Sequence, residues 1–274
     1  FLSVDFRGGS VFQVGFSKDV PLITEIQNEL KSVPGISEAS INTVGDKSII
    51  IRSRTLSEDA RQTILSTLSA KYGTVTQERF DEIGPTVGKE LKTKSIKAVI
   101  ILLVVIIIYI SMVFRTMSRV LSPWALGIAA VLALLHDVII PVGIFSLLGY
   151  YAHIEITAVF VAAALTILGY SISDTVVVFD RVRENVIKLG SKETFANIMH
   201  KSILQTLTRS INTSMTTLLS LLAIYFFGGE SIRYFALALI IGIISGTYSS
   251  MFVAAPIVVW WHERSKKAAK KGSS

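Results

Sequence analysis

Two charged residues in this sequence stand inside apolar runs, and their types suggest proton chemistry. Asp174 lies in "GYSISDTVVVFD" and Arg209 in "LTRSINTS". A charge at the centre of a membrane-spanning helix costs about 2.5–3.5 kcal/mol on an insertion scale, so such groups face protein or water and mark ion or proton paths. Burial and a neighbouring guanidinium act on a carboxyl group in opposite senses. A carboxyl under both influences changes its protonation when the arginine moves. The arginine keeps its charge and serves as the gate. Hydroxyls and amides around both residues, in "GYSIS" and "SINTSMTT", supply groups to hold water or relay protons. The plainer alternative is a static ion pair that fixes helix packing, and the residues alone leave both readings open.

His136-Asp137, in "LLHDV", is a weaker candidate, with Asp137 the third residue assigned to a proton pathway. Adjacent helical residues point about 100° apart, so only one of them faces any one cavity. Pro141, one turn on, frees a backbone carbonyl. Structural hydrogen bonding and proton relay are equally consistent with this pair.

The elements that position these residues follow from composition. The chain has 274 residues, 51% of them apolar and 17% charged, the balance of an integral membrane protein. After residue 93 come five apolar runs, about 96–114, 123–148, 155–179, 206–227 and 234–261. Each is long enough for a hydrocarbon core of about 30 Å. Counting back from Arg181 at about 1.5 Å per residue puts Asp174 about 10 Å into the membrane; counting forward from Lys201 puts Arg209 at about 12 Å. Two consecutive antiparallel helices thus bring opposite charges to matching depth.

Residues 1–93 are mixed and turn-rich. Phe12, Val14 and Phe16 alternate as in a strand, and Leu22, Ile26 and Leu30 recur at helical spacing before Pro34-Gly35. "SEASINTV" and "KSIIIRS" read as strands joined by Gly45-Asp46. "TLSEDARQTILSTLSAKYG" reads as a helix capped by Thr55 or Ser57 and stopped by Gly73, and "TVTQERFDEI" as a last strand. The order β-α-β-β-α-β is that of a ferredoxin-like domain. The expected fold class is therefore an α-helical polytopic membrane protein carrying an α+β ferredoxin-like domain. Its divisions are 1–93, 94–261 for the spans, and a basic tail at 262–274.

Several function classes find no support. There is no cysteine, which removes disulfides and thiolate metal ligands. No G-x-x-x-x-G-K-[ST], H-E-x-x-H or G-x-S-x-G occurs, so the chain reads as no enzyme, with no metal and no cofactor beyond protons as coupling ion. "FRGGS" reads as a turn rather than a phosphate loop. The net charge of +7 resides beside apolar segments and in the tail, which favours membrane orientation over nucleic-acid binding. Basic residues Arg115 and Arg119 follow the first run, and Arg181, Arg183, Lys188, Lys192 and Lys201 lie between the third and fourth. "GYYAHIE" between the second and third has none. This alternation places the tail in the cytosol and residues 1–93 outside, despite Lys89, Lys92, Lys94 and Lys97. An exported domain with no visible signal implies a membrane segment ahead of Phe1.

Four motifs together, "VDFRGGS", "LLHDV", "GYSISDTVVVFDRVREN" and "RSINTS", resemble the SecF family across essentially the whole chain. Ser173 stands where family members often have Asn. SecF proteins have six spans, with "VDFRGG" just after the first, so the resemblance implies one span more than this sequence contains. It further implies a bacterial inner-membrane subunit that works with SecD, as a separate chain or a fused half, beside the Sec protein-conducting channel. The two use the proton-motive force to draw preproteins outward, and they are related to the resistance-nodulation-division exporters. By position, Asp174 is then the protonatable carboxylate, Arg209 its coupled partner, and residues 1–93 the support of an exterior head supplied by SecD. The alternatives are a proton-coupled exporter of a small molecule or lipid, and a non-transporting scaffold.

Overall fold

The computed structural model describes residues 2–31, 33, 36, 39–44, 47–54, 56–119, 122–152, 154–190 and 192–271. The turns expected at Pro34-Gly35 and Gly45-Asp46, and the alternative cap Thr55, lie outside them. Two compact units divide the chain: Phe1–Ile96 with Leu148–Ala158, and Lys97–Leu147 with Val159–Ser274.

In the first unit the elements are α1 (Val4–Arg7), β1 (Gly9–Phe16), α2 (Ile23–Leu30), β2 (Ser40–Val44), β3 (Ser48–Ser53), α3 (Glu58–Tyr72) and β4 (Val75–Ile83). The strands form one antiparallel sheet in the order β2-β3-β1-β4, which is the split βαβ arrangement of a ferredoxin-like fold. The expected strand alternation holds on β1: Phe12 and Val14 pair with Ile51 and Ile49 of β3. These four are fully buried with Ile26, Leu30, Ile64 and Leu68, which α2 and α3 lay on the same face of the sheet. Ser57 caps α3, its Oγ accepting from Ala60 N at 3.2 Å, and Gly73 ends that helix at φ 88°.

"FRGGS" runs from the end of a short helix, which the sequence did not signal, through a reversal at Gly8 into β1. Ser3 caps α1, accepting from Asp5 N at 3.2 Å. The chain then reverses at Gly8 (φ 76°) and Gly9 (φ 129°). A Cβ on Gly8 would meet Pro85 N at 2.8 Å, so both the dihedral and the space require glycine there.

The segment 148–158 belongs to this unit through four contacts. Leu2 bridges to Ile156, Ser3 N donates to Ile156 O at 3.0 Å, and Arg52 pairs with Glu155 at 3.0 Å. Asp5 Oδ2 accepts from Ala158 N at 2.8 Å. Glu155 is thus an ion-pair partner of β3.

The remaining elements are long helices: α4 (Pro85–Val113), α5 (Pro123–Ala152), α6 (Ala158–Leu189), α7 (Phe195–Phe227), α8 (Glu230–Ser249) and α9 (Ala255–Lys271). A π turn over Ser250–Ala254 joins the last two, and a 3-10 turn covers Arg115–Arg119. Among the described residues, five helical stretches are long and apolar enough to cross a membrane, the last running Ile232–Ala268.

The helices outrun the apolar runs. Residues 180–205, expected as a long loop, are mostly helix, with only residues 190–194 between α6 and α7. Charge does not stop α6, because its charged residues pair along it: Arg183 with Asp180 at 2.7 Å and Arg181 with Glu184 at 2.8 Å, each one turn apart. In the second unit the core is aliphatic and alanine-rich, built on Leu126, Ala129, Ala130 and Ala133 of α5, with Phe114 edge-on to Phe179 at 6.0 Å.

Candidate functional site

The buried face of α6 carries Ser171, Asp174, Val178, Val182 and Asn185, spaced three or four apart, with Thr175 beside Asp174. The face α7 turns inward carries Ser202, Thr206, Ser210 and Ser214 at intervals of four. Small hydroxyl residues in register let helices approach closely and bond across the seam. Asn185 Nδ2 donates to Ser202 Oγ at 2.8 Å and to Gln205 Oε1 at 2.9 Å. Ser210 Oγ donates to Asp174 Oδ1 at 2.9 Å. Tyr170 OH donates to Ser214 Oγ at 3.4 Å, and Thr247 of α8 adds a bond to the same oxygen at 2.7 Å.

Asp174 is 8% exposed, and its second oxygen, Oδ2, is buried with no hydrogen-bond partner among the described residues. A carboxyl group held by one hydroxyl on one oxygen, with the other unclaimed, is poorly solvated as an anion and has room to take a proton.

Arg209 does not pair with Asp174. No ion pair within 4.0 Å joins them among the described residues. The reason is azimuth: Arg209 and Ser210 are adjacent, so with Ser210 turned inward Arg209 faces out, where it is exposed. There it lines a cleft of about 380 Å³ with Val176, Val177, Asp180, Arg181, Glu184, Gln205 and Thr206.

Asp137 forms a separate centre. It is fully buried, and Ser171, Ser245 and Ser249 all donate to it. Ser171 and Ser210 fall in the hydroxyl-bearing segments "GYSIS" and "SINTSMTT" noted from sequence, whereas Ser245 was not singled out; its interval of four from Ser249 on α8 was the available signal. Among the described residues, no group of three or more histidines and carboxylates is placed to hold a metal.

The sequence profile described as "Protein export membrane protein SecD/SecF, C-terminal" matches residues 63–264. The chain belongs to the SecD/SecF family. Within that family, the protein translocase subunit SecF of Thermobaculum terrenum is 40% identical over 275 residues, 96% of this chain and 85% of that one. SecF of Anaerolinea thermophila is 39% identical over 284 residues, 100% of this chain and 90% of its own. The crystal structure of SecDF from Thermus thermophilus, described as a translocon-associated membrane protein, superposes with a TM-score of 0.82 at 36% identity. The match covers 96% of this chain and 34% of that one, so this chain spans about a third of SecDF.

Proposed function

We propose that this chain is an auxiliary subunit of the Sec protein translocase in which Asp174 takes up and releases protons to drive preprotein export. The observation that carries the proton step is the asymmetry at Asp174: a buried carboxyl inside a spanning helix, one oxygen on Ser210 and the other with no partner among the described residues. Arg209 acts as the charge that comes and goes. Its side chain is exposed beside the cleft, free to approach the carboxyl or withdraw from it.

A partner inside the membrane is supported by the outer face of α7. Gln205, Arg209, Asn212, Thr213, Thr216 and Ser220 are all exposed on a spanning helix. Thr213, Thr216 and Ser220 bond carbonyls one turn back on α7, but hydrocarbon offers Gln205, Arg209 and Asn212 no hydrogen bonds, so a polar protein surface covers them. The SecD half of a SecDF assembly fits that need: the SecDF relative from Thermus thermophilus carries a region like this chain within one longer polypeptide. In this reading the Sec protein-conducting channel and the translocating preprotein are the further partners. The basic ends of the helices face the cytosol of a bacterial inner membrane, and the ferredoxin-like domain faces outward.

The test is Asp174→Asn in the complete complex, reconstituted with the channel in sealed vesicles. Asparagine keeps the shape and the hydrogen bond from Ser210 but binds no proton. Preprotein release and proton flux both fall to the level of vesicles lacking the complex; unchanged values of both overturn the proposal.

A further inference from the structure

His136 and Asp137 form a centre that the Asp174 reading does not use, and its hydrogen bonds identify one atom. Asp137 Oδ1 lies 3.0 Å from His136 Nδ1 and accepts from Ser245 Oγ at 3.1 Å. Its Oδ2 accepts from Ser171 Oγ at 2.5 Å and from Ser249 Oγ at 2.7 Å. A carboxylate offers about four lone-pair sites, so four donors fill them all. Three helices contribute: α5 the histidine, α6 Ser171, and α8 both remaining serines.

The surroundings are built to bring these donors in. Ser245 and Ser249 are one turn apart on α8, immediately before the π turn. Gly246 lies between them, and a Cβ there would fall 3.0 Å from Ser171 Cβ and 3.5 Å from Asp137 Oδ2. Pro141 removes the N–H that would bond the Asp137 carbonyl one turn back, which loosens α5 at this residue.

An ionised Asp137 can only accept, so Nδ1 of His136 is the donor in this contact and its proton is committed. The other ring nitrogen, Nε2, lies 2.6 Å from Tyr248 OH, with the two rings edge to face at 5.3 Å. The His136 side chain is 30% exposed, against 0% for Asp137. We infer that His136 Nε2 is a second proton-binding site of the membrane domain, with Asp137 as its fixed counter-charge and Tyr248 as its partner.

The exchange balances simply. With a neutral ring, Nε2 accepts from the Tyr248 hydroxyl. When a proton arrives, Nε2–H donates to the Tyr248 oxygen and the hydroxyl hydrogen turns away. The pair passes from a net charge of −1 to zero, so proton arrival cancels a charge inside the bundle instead of creating one. Among the described residues in hydrogen-bond contact with the pair, the three serines do not titrate and Tyr248 is the one other titratable group. Asp137 is the nearest charge and lies on the same helix. The site differs from Asp174 in kind, since the base there is a carboxyl with an unclaimed oxygen.

The chain has four histidines, so ring-nitrogen NMR resolves them. Full-length protein labelled with ring-15N histidine is placed in lipid nanodiscs and titrated between about pH 5 and 8, the range of histidine switching. His136→Gln assigns the resonance. The expected result is a Nδ1 that remains protonated throughout and a Nε2 that passes from unprotonated to protonated as the pH falls. Tyr248→Phe, which removes one hydroxyl, displaces the midpoint of that change. Asp174→Asn leaves it in place, so this proposal and the role of Asp174 fail separately. An unprotonated Nδ1, which would put the proton on Asp137 instead, overturns the proposal, as does a Nε2 that does not change across the range.

Discussion

Gly242 of α8 sets how closely that helix approaches α6. A Cβ on Gly242 falls 2.8 Å from Ile167 Cγ2 and closer still to Cγ1 and Cδ1. Ile167 is 1% exposed, and its two Cγ atoms branch from one carbon, so a rotation that withdraws one advances the other. Overpacking a tight core costs about 1–3 kcal/mol, and contact with three atoms puts Gly242→Ala near the top of that range. Alanine returns about 1 kcal/mol of helix propensity over glycine. The net expectation is a loss of about 2 kcal/mol. In an Ile167→Ala background the clash is gone while the propensity remains, so the same substitution becomes stabilising by up to about 1 kcal/mol. The four proteins of this cycle are compared by equilibrium denaturation in mixed micelles, giving a coupling of about 3 kcal/mol. Gly169→Ala, where nothing lies within 4 Å of the added carbon, is the control and stabilises by up to about 1 kcal/mol. If Gly242→Ala has the same sign and size in both backgrounds, the close approach of α6 and α8 does not exist as described.

Asp5→Ala removes the carboxylate that accepts from Ala158 N at the start of α6; it lowers stability by about 1 kcal/mol, and hydrogen exchange of the Ala158 amide accelerates. Asn185→Ala breaks two bonds of the α6–α7 seam and costs about 0.6–1.7 kcal/mol, read by the same denaturation method. Lys71 is held above the ordinary lysine pKa by its hydrogen bond and charge contact with Glu29. Its stabilising contribution is therefore complete below the ordinary lysine value and is lost only as pH rises through the raised one; Glu29→Gln brings the Lys71 amine titration back down, as followed by lysine side-chain NMR.

Much of this architecture was legible because apolar length and alternation are strong signals. Phe12, Val14 and Phe16 declared β1, and the runs beginning near residues 96, 123, 155, 206 and 234 declared the spans. Hydropathy was silent on where the helices end. Arg181, Arg183 and Glu184 look like loop residues, yet pairing one turn apart keeps them helical. Counting residues from the membrane edge fixed the level of Asp174 and Arg209 but not their direction around the helix. That is why Ser210, one position along, holds Asp174 and Arg209 faces outward. The inward direction was written in the hydroxyl series Ser202, Thr206, Ser210 and Ser214, whose interval of four marks one face of α7. Asp137 was found by its charge, but its three serine donors come from two other helices, and no local pattern links them.

The central claim is that the Asp174 carboxyl changes its protonation while the translocase works. Infrared difference spectroscopy of the reconstituted complex, recorded while an imposed proton gradient drives export, observes this directly. The account predicts a protonated-carboxyl C=O band that rises and falls with turnover and is absent in Asp174→Asn. A complex that exports preprotein normally with no band assignable to Asp174 contradicts it.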